Sequence, residues 1–331
     1  MKEDEALASS LSPSPPEAAQ PPPPPAPPER SGTPSLHGYL VIDKPGGLTS
    51  FDVVARVRRL LGEKRIGHAG TLDPAATGVL PLAVGLATKT LEYLTDATKT
   101  YLADITFGVE TDSHDGDGRV TRIADPATVS EARVREALTR FLGAGTQIPP
   151  MHAAIKIGGQ KLYELARRGE EIERAPRPVT LFRLDLVAWD PPVATVLVDC
   201  SKGTYVRSLA RDLGAVLGPG AYLSRLVRLR SGPFHLCQAI TLGELAESPL
   251  PWSWPWLAVH PDAPLLEWPA LLLDDAATRL WRQGTPIPDP LPTTGSIRVY
   301  DCHGSWLGAG HAAADGAAWQ PAKVVPAENV A

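Results

Sequence analysis

Gly67-His-Ala-Gly-Thr-Leu-Asp-Pro-Ala-Ala-Thr-Gly-Val-Leu-Pro81 is the stretch on which the reading of this chain turns. Three glycines, at 67, 70 and 78, and two prolines, at 74 and 81, surround one carboxylate, Asp73. Glycine and proline at this density predict a tightly specified loop in place of a helix or strand. Such a loop holds a carboxylate rigidly and lets a substrate come close to the backbone. Taken alone, these residues leave the chemistry open. An Asp before Pro is usually a turn former, and a single His such as His68 is usually structural. Glycoside hydrolysis needs a second carboxylate, and the stretch holds none.

Outward from the loop, the pattern is that of an α+β chain around a mixed sheet. Tyr39–Asp43 reads as a short strand ended by Lys44-Pro-Gly-Gly47. Thr49 and Ser50 cap a helix expected over 51–61, which Gly62 ends. Residues 100–109 alternate like a strand, and 118–124 like another, with Asp112-Ser-His-Asp-Gly-Asp-Gly118 as a polar turn between them. That turn lacks the downstream Glu of a calcium loop. Thr128 and Glu131 predict a capping box before a helix over 129–142. A helix over 160–168, strands over 178–189 and 193–200, and a helix over 205–217 follow.

Composition divides the chain. Residues 1–35, rich in Pro, Ala, Ser and Glu, are expected to be a disordered tail. Residues 36–247 form the main domain, 248–264 a Pro/Trp linker, and 265–331 a small β-rich module. Seven of the eight tryptophans lie beyond 249, where core and interface packing is their expected role. The net charge of −5 hides a net +4 over 36–235, because the tail carries −3 and residues 236–331 carry −6. Basic side chains cluster at Arg56, Arg58, Arg59, Lys64 and Arg65, and again at Lys202, Arg207, Arg211, Arg225, Arg228 and Arg230. Such clusters attract phosphates. Cys200, Cys237 and Cys302 show neither zinc nor disulfide spacing and are expected to be small buried thiols. No apolar run suggests a membrane span, and the start MKEDEALASS suggests no secretion signal. The expectation is a cytoplasmic protein.

The motifs, taken in register, resemble the TruB-type tRNA pseudouridine synthase family. Gly67 to Pro74 is similar to its Gly-His-x-Gly-x-Leu-Asp-Pro loop, and Ala76, Thr77, Gly78 and Leu80 continue the match. Lys44-Pro45 with Gly47 and Ser50, Lys99-Thr-Tyr101, Ser201-Lys-Gly-Thr-Tyr-Val-Arg207, Gly220-Ala221 and Leu226-Val-Arg-Leu229 resemble further family segments in the same order. The likeness covers about 36–235. The C-terminal module resembles the family's PUA-type domain only weakly.

The resemblance implies isomerisation of uridine to pseudouridine at position 55 in the T loop of tRNA, with the base flipped out of the RNA. It implies Asp73 as nucleophile, by attack on C1′, attack on C6 or assistance to a glycal, with the choice open. Arg207 corresponds to the arginine that pairs with the aspartate, and Tyr101 to the tyrosine that stacks on the base. Tyr205 and Leu226 correspond to the uracil pocket, His68 to the flipped nucleotide, and Lys44 to a buttress of the loop. Residues 143–172, with Lys156, Lys161, Arg167 and Arg168, correspond to an insertion that closes over the T arm. No metal, cofactor or obligate protein partner is implied, and a monomer is expected. Two alternatives are a guide-RNA-dependent pseudouridine synthase and a non-catalytic tRNA-binding or tRNA-folding protein.

Overall fold

The computed structural model describes residues 36–151, 156–157, 160–161, 172–250, 253–289 and 294–326. The expected disordered tail, and the part of the insertion that carries Arg167 and Arg168, lie outside the described residues.

The chain runs β1 (Gly38–Lys44), α1 (Ser50–Leu61), β2 (Ile66–His68), β3 (Thr77–Val84), α2 (Leu91–Thr95) and β4 (Lys99–Phe107). A small ribbon of β5 (Val109–Thr111) and β6 (Val120–Ile123) precedes α3 (Glu131–Thr139) and β7 (Gly143–Gln147). After the short pair β8 (Lys156–Ile157) and β9 (Gln160–Lys161) come β10 (Arg177–Asp190), β11 (Val193–Cys200), α4 (Val206–Leu217), β12 (Ala221–Ser231) and β13 (Phe234–His235). Then follow α5 (Leu242–Glu247), α6 (Trp254–Leu257) and β14 (Ala258–Val259). One ten-stranded sheet has the order β14-β1-β3-β12-β4-β11-β10-β7, with β13 paired to β12 and β2 to β3. The β3–β12 pair is parallel and its neighbours are antiparallel, so the sheet is mixed.

A separate five-stranded sheet forms the PUA-like C-terminal module. It uses β15 (Ala270–Leu273), β16 (Ile287–Pro288), β17 (Ser296–Asp301), β18 (Trp306–Ala312) and β19 (Ala318–Val324), with α7 (Asp275–Arg282) packed on it. Trp306, Leu265 and Leu86 join the module to the segment before α2 in one buried cluster, and Lys89 Nζ donates to Val324 O at 2.6 Å. The fold is α+β.

Alternation of apolar residues explains the layers. Along β4 every second side chain is buried, and Ala103, Ile105 and Phe107 meet Val134 and Leu138 of α3 and Leu209 and Leu213 of α4. The α1 helix buries Val53, Val54 and Val57 against Leu40, Ile42, Leu80 and Leu82, each valine contributing roughly 1.5–3 kcal/mol. Its Thr49 capping box and left-handed Gly62 fix both ends.

Several local expectations need correction. Ser130 caps α3, not Thr128, because Val129 is extended and Pro126–Thr128 form a separate turn capped by Asp125. Thr77–Pro81, expected as the end of the loop, belongs to an interior strand, Thr77–Val84. Pro81 is tolerated there because the ladder to β12 ends at Gly78 and that to β2 begins at Leu82. Gly78 is required, since a Cβ would lie 2.3 Å from Arg228 O. Gly143–Gln147, expected at the start of the insertion, is an edge strand of the main sheet. The helix expected at 160–168 begins instead with strand β9 and otherwise lies outside the described residues. Cys200 is buried, but Cys237 and Cys302 are exposed. Trp254 and Trp281 are buried, whereas Trp256 is 89% exposed.

Candidate active site

The loop between β2 and β3 is held from three sides. Ser50 Oγ, at the first turn of α1, accepts from Leu72 N at 2.9 Å and donates to Leu72 O at 3.1 Å. Lys44 Nζ, at the end of β1, donates to Pro45 O at 2.8 Å and Pro74 O at 3.0 Å. Gly47 N also donates to Pro74 O. Arg228 on β12 donates from Nε to Val79 O at 2.7 Å and from Nη2 to Gly70 O at 3.1 Å. Lys44 and Arg228 are essentially fully buried, and burial lowers the Lys44 pKa to about 8.

The clamped loop presents Asp73 to a cavity of about 720 Å³, lined also by Tyr101, Tyr205, Arg207 and Leu226. That volume lies within the usual range for ligand sites, about 300–1,000 Å³. The structure thus brings five of the seven sequence-derived site residues to one cavity. Lys44 lies behind the loop. His68 is half-buried in β2, its Nδ1 without a hydrogen-bond partner, and burial followed by the Arg228 charge lowers its pKa.

Arg207 reaches the cavity because α4 begins at its edge. Tyr205 N donates to Gln147 Oε1 at 3.0 Å and Ser208 Oγ to Ile148 O at 2.9 Å, which pins the helix start. The buried Arg207 guanidinium places Nη2 3.0 Å from Asp73 Oδ2 and Nη1 3.3 Å from Asp115 Oδ2. One arginine therefore bridges two carboxylates. Enclosure in the cavity pushes the Asp73 carboxyl above the ordinary range; Arg207 opposes this, Asp115 and Asp117 add to it, and Lys44 opposes it. Burial likewise pushes the Tyr101 phenol up, while Arg228 hydrogen-bonds to it and opposes the shift. Tyr101 stays neutral at neutral pH.

Asp115 was missed by sequence reasoning, which treated 112–118 as a polar turn. Its Oδ1 accepts from Ser113 Oγ and from Asp117 N. Thr111 Oγ1 donates to Asp115 O at 2.7 Å. His114, at φ 63°, is stitched to β12 by Leu223 N donating to its carbonyl at 3.0 Å. The usable signal was three aspartates in a glycine-punctuated turn. Arg228 was read as a phosphate-facing charge; it is 1% exposed and serves the loop. Other members of that cluster also have anionic neighbours, Arg211 with Asp212, Lys202 with Asp96 and Arg225 with Asp104.

Three family models match the chain in sequence: TruB family pseudouridylate synthase (N terminal domain) over residues 58–206, tRNA pseudouridylate synthase B C-terminal domain over 207–254, and Pseudouridine synthase II TruB, C-terminal, over 269–324. The tRNA pseudouridine synthase B of Pseudomonas aeruginosa (strain UCBPP-PA14) is 45% identical over 287 residues, covering 85% of this chain and 94% of that protein. The chain belongs to the TruB family. It is accordingly a pseudouridine synthase, an isomerase. The TruB-family relative of Symbiobacterium thermophilum, also named tRNA pseudouridine synthase B, is 57% identical over 212 residues, 63% of this chain and 71% of the relative. Among solved structures, a Cbf5-Nop10-Gar1 complex superposes with a TM-score of 0.69 at 24% identity over 90% of each chain, a likeness of fold. Within the family assignment, the cavity around Asp73 is the candidate active site. Among the described residues no helix is long and apolar enough to cross a membrane.

Proposed function

We propose that this TruB-family enzyme converts uridine to pseudouridine at position 55 in the T loop of tRNA, with Asp73 as nucleophile. The observation that carries the reading is the Asp73 carboxylate, paired with Arg207 at 3.0 Å and sharing a cavity with Tyr101. The reaction breaks the bond from N1 to C1′, turns the base, joins C5 to C1′, and exchanges the C5 proton for one on N1. It consumes no oxidant, reductant or nucleotide.

Each residue has a part. Asp73 serves the nucleophilic step only when ionised and close to the reacting carbon. The Arg207 guanidinium stabilises that charge and fixes its direction. Tyr101 stacks on the extruded uracil, worth about 1–3 kcal/mol, which offsets much of the few kcal/mol needed to extract a base. Tyr205 and Leu226 line the uracil pocket. His68 attends the flipped nucleotide, and Lys44 keeps the loop in place. Basic side chains on the rim, Arg177 and Lys202, suit phosphates. The enzyme works in the cytoplasm as a monomer, without guide RNA or protein partner, and the PUA-like module plays an auxiliary role.

The test is to incubate the purified chain with an unmodified tRNA transcript and map pseudouridine. Product at position 55, lost in Asp73→Asn while RNA binding survives, is expected. Equal product from the variant overturns the role of Asp73. Product only on addition of a guide RNA favours the guide-dependent alternative, and binding without any product favours the tRNA-folding one.

A further inference from the structure

Among the described residues, Asp275, Cys302 and His303 bring a carboxylate, a thiol and an imidazole together, each donor atom within 4.8 Å of the other two. The cluster is exposed and lies on the PUA-like module, and none of its residues lines the Asp73 cavity. Cysteine spacing conceals it, because Asp275 and Cys302 are 27 residues apart.

The fold builds this cluster from two strand ends. β15 runs parallel to β17 with Leu273 opposite Asp301, so both strands finish at the same end of the sheet. One enters α7 through Asp274, whose side chain accepts from Ala277 N at 2.7 Å, and Asp275 is the first residue of that helix. The other enters the turn before β18, and Asp301 fixes that turn. Its Oδ1 accepts from His303 N at 3.0 Å and from Ser305 N at 2.8 Å, while its carbonyl accepts from Gly304 N at 3.0 Å. The backbone that carries Cys302 and His303 is therefore set before any ligand arrives.

The spacing also fits a metal. Cys302 Sγ lies 3.6 Å from Asp275 Oδ1. With a metal–sulfur bond of about 2.3 Å and a metal–oxygen bond of about 2.0 Å, the edge of a tetrahedron is about 3.5 Å. We propose that Asp275, Cys302 and His303 form a three-donor site for a borderline divalent cation, Zn²⁺ foremost, with water in the fourth position. Thiolate and imidazole select against Mg²⁺ and Ca²⁺, which take oxygen ligands. On binding, the Cys302 thiol releases its proton to solvent and the sulfur lone pair goes to the metal, with no change of oxidation state. The ion clips the start of α7 to the turn between β17 and β18.

The experiment uses the full chain. Zn²⁺ alone is titrated calorimetrically, and Co²⁺ is added in parallel to read the thiolate-to-cobalt charge-transfer band. One equivalent of Zn²⁺ is expected, with a Co²⁺ band that Cys302→Ser abolishes and Cys237→Ser leaves intact. Asp275→Asn and His303→Ala should each weaken binding at least tenfold. Zn²⁺ should raise the thermal midpoint of the wild type but not of Cys302→Ser, which also shows that the variant is folded. The proposal is overturned if the wild type gives no band, or if the band and the stoichiometry survive Cys302→Ser.

Discussion

Replacing Ser50 by Ala removes one oxygen atom that makes two hydrogen bonds to the residue before the proposed nucleophile. Ser50 is 1% exposed and Leu72 is 3% exposed, so water does not replace the hydroxyl without rearrangement. The Leu72 N–H and C=O lose contacts of 2.9 and 3.1 Å. Each such bond is worth about 1 kcal/mol net, and each buried group left without a partner costs about 1–3 kcal/mol. The expected loss of stability is therefore about 2–4 kcal/mol, readable by urea denaturation. The kinetic effect separates a local clamp from general weakening. Displacement of a reacting group by about 1 Å costs on the order of a hundredfold, so kcat on tRNA should fall about 10- to 100-fold with KM little changed. The cap of α1 is made by Thr49 and Asp52 and survives the change, so helical circular dichroism should be intact. A stability loss under about 0.5 kcal/mol, typical of an uninvolved surface site, would refute the reasoning. So would a KM effect with unaltered kcat.

Asp115→Asn removes the second carboxylate on Arg207 and should lower kcat about 10- to 100-fold, or about 1.4–2.7 kcal/mol. Because the Asp115 charge raises the Asp73 pKa, the acid limb of the pH–rate profile should move to lower pH in this variant; an unmoved limb contradicts the coupling. The buried amines of Lys44 and Lys99 are lowered from 10.5 to about 8, chiefly by burial. Between about pH 8 and 10.5 the unfolded chain thus binds more protons than the folded one, and stability should rise with pH across that window. A Lys99→Met variant should show a shallower rise in denaturant titrations, and an equal slope would count against it. Trp306→Ala, at the junction of module and main sheet, should cost about 3–5 kcal/mol; a change below 1 kcal/mol would mean that the module is not docked as described.

What the sequence disclosed depended on how local each feature was. Asp73 and its flanking glycines are contiguous, and Arg207 and Tyr101 sit in short ordered motifs, so all three were readable before any coordinates. The α1 helix and the strands Arg177–Asp190 and Val193–Cys200 were legible from periodicity within one or two residues. Asp115 was not, because its importance arises from a contact with Arg207, 92 positions away. Arg228 was misread for a related reason. Charge counting treats every arginine as solvated, whereas the parallel pairing of β12 with β3 carries this one beneath the loop. The Thr77–Val84 strand was hidden because Gly78 and Pro81 are loop residues by composition, and only the strand order shows why both are admitted.

Buried cations brace main chain around the cavity, and two of them, Lys44 and Arg228, hold the glycine-rich loop that carries Asp73. Lys44, Lys99 and Arg228 each direct donors to backbone carbonyls: Pro45 and Pro74, then Thr95 and Ala97, then Gly70 and Val79. A buried charge without such partners would be far more costly than the bonds it makes. Arg207 differs, since its guanidinium meets carboxylates on two separate segments. Three cations therefore fix main chain and one holds the Asp73 side chain. Lys44 and Arg207 both oppose the rise in the Asp73 pKa that enclosure causes. The carboxylate is thus more basic than one in water, yet its ionised form is stabilised by the same groups that set its position. Loosening the Lys44 or Arg228 clamp on the loop is expected to shift Asp73 relative to Arg207, which ties positioning to ionisation at this site.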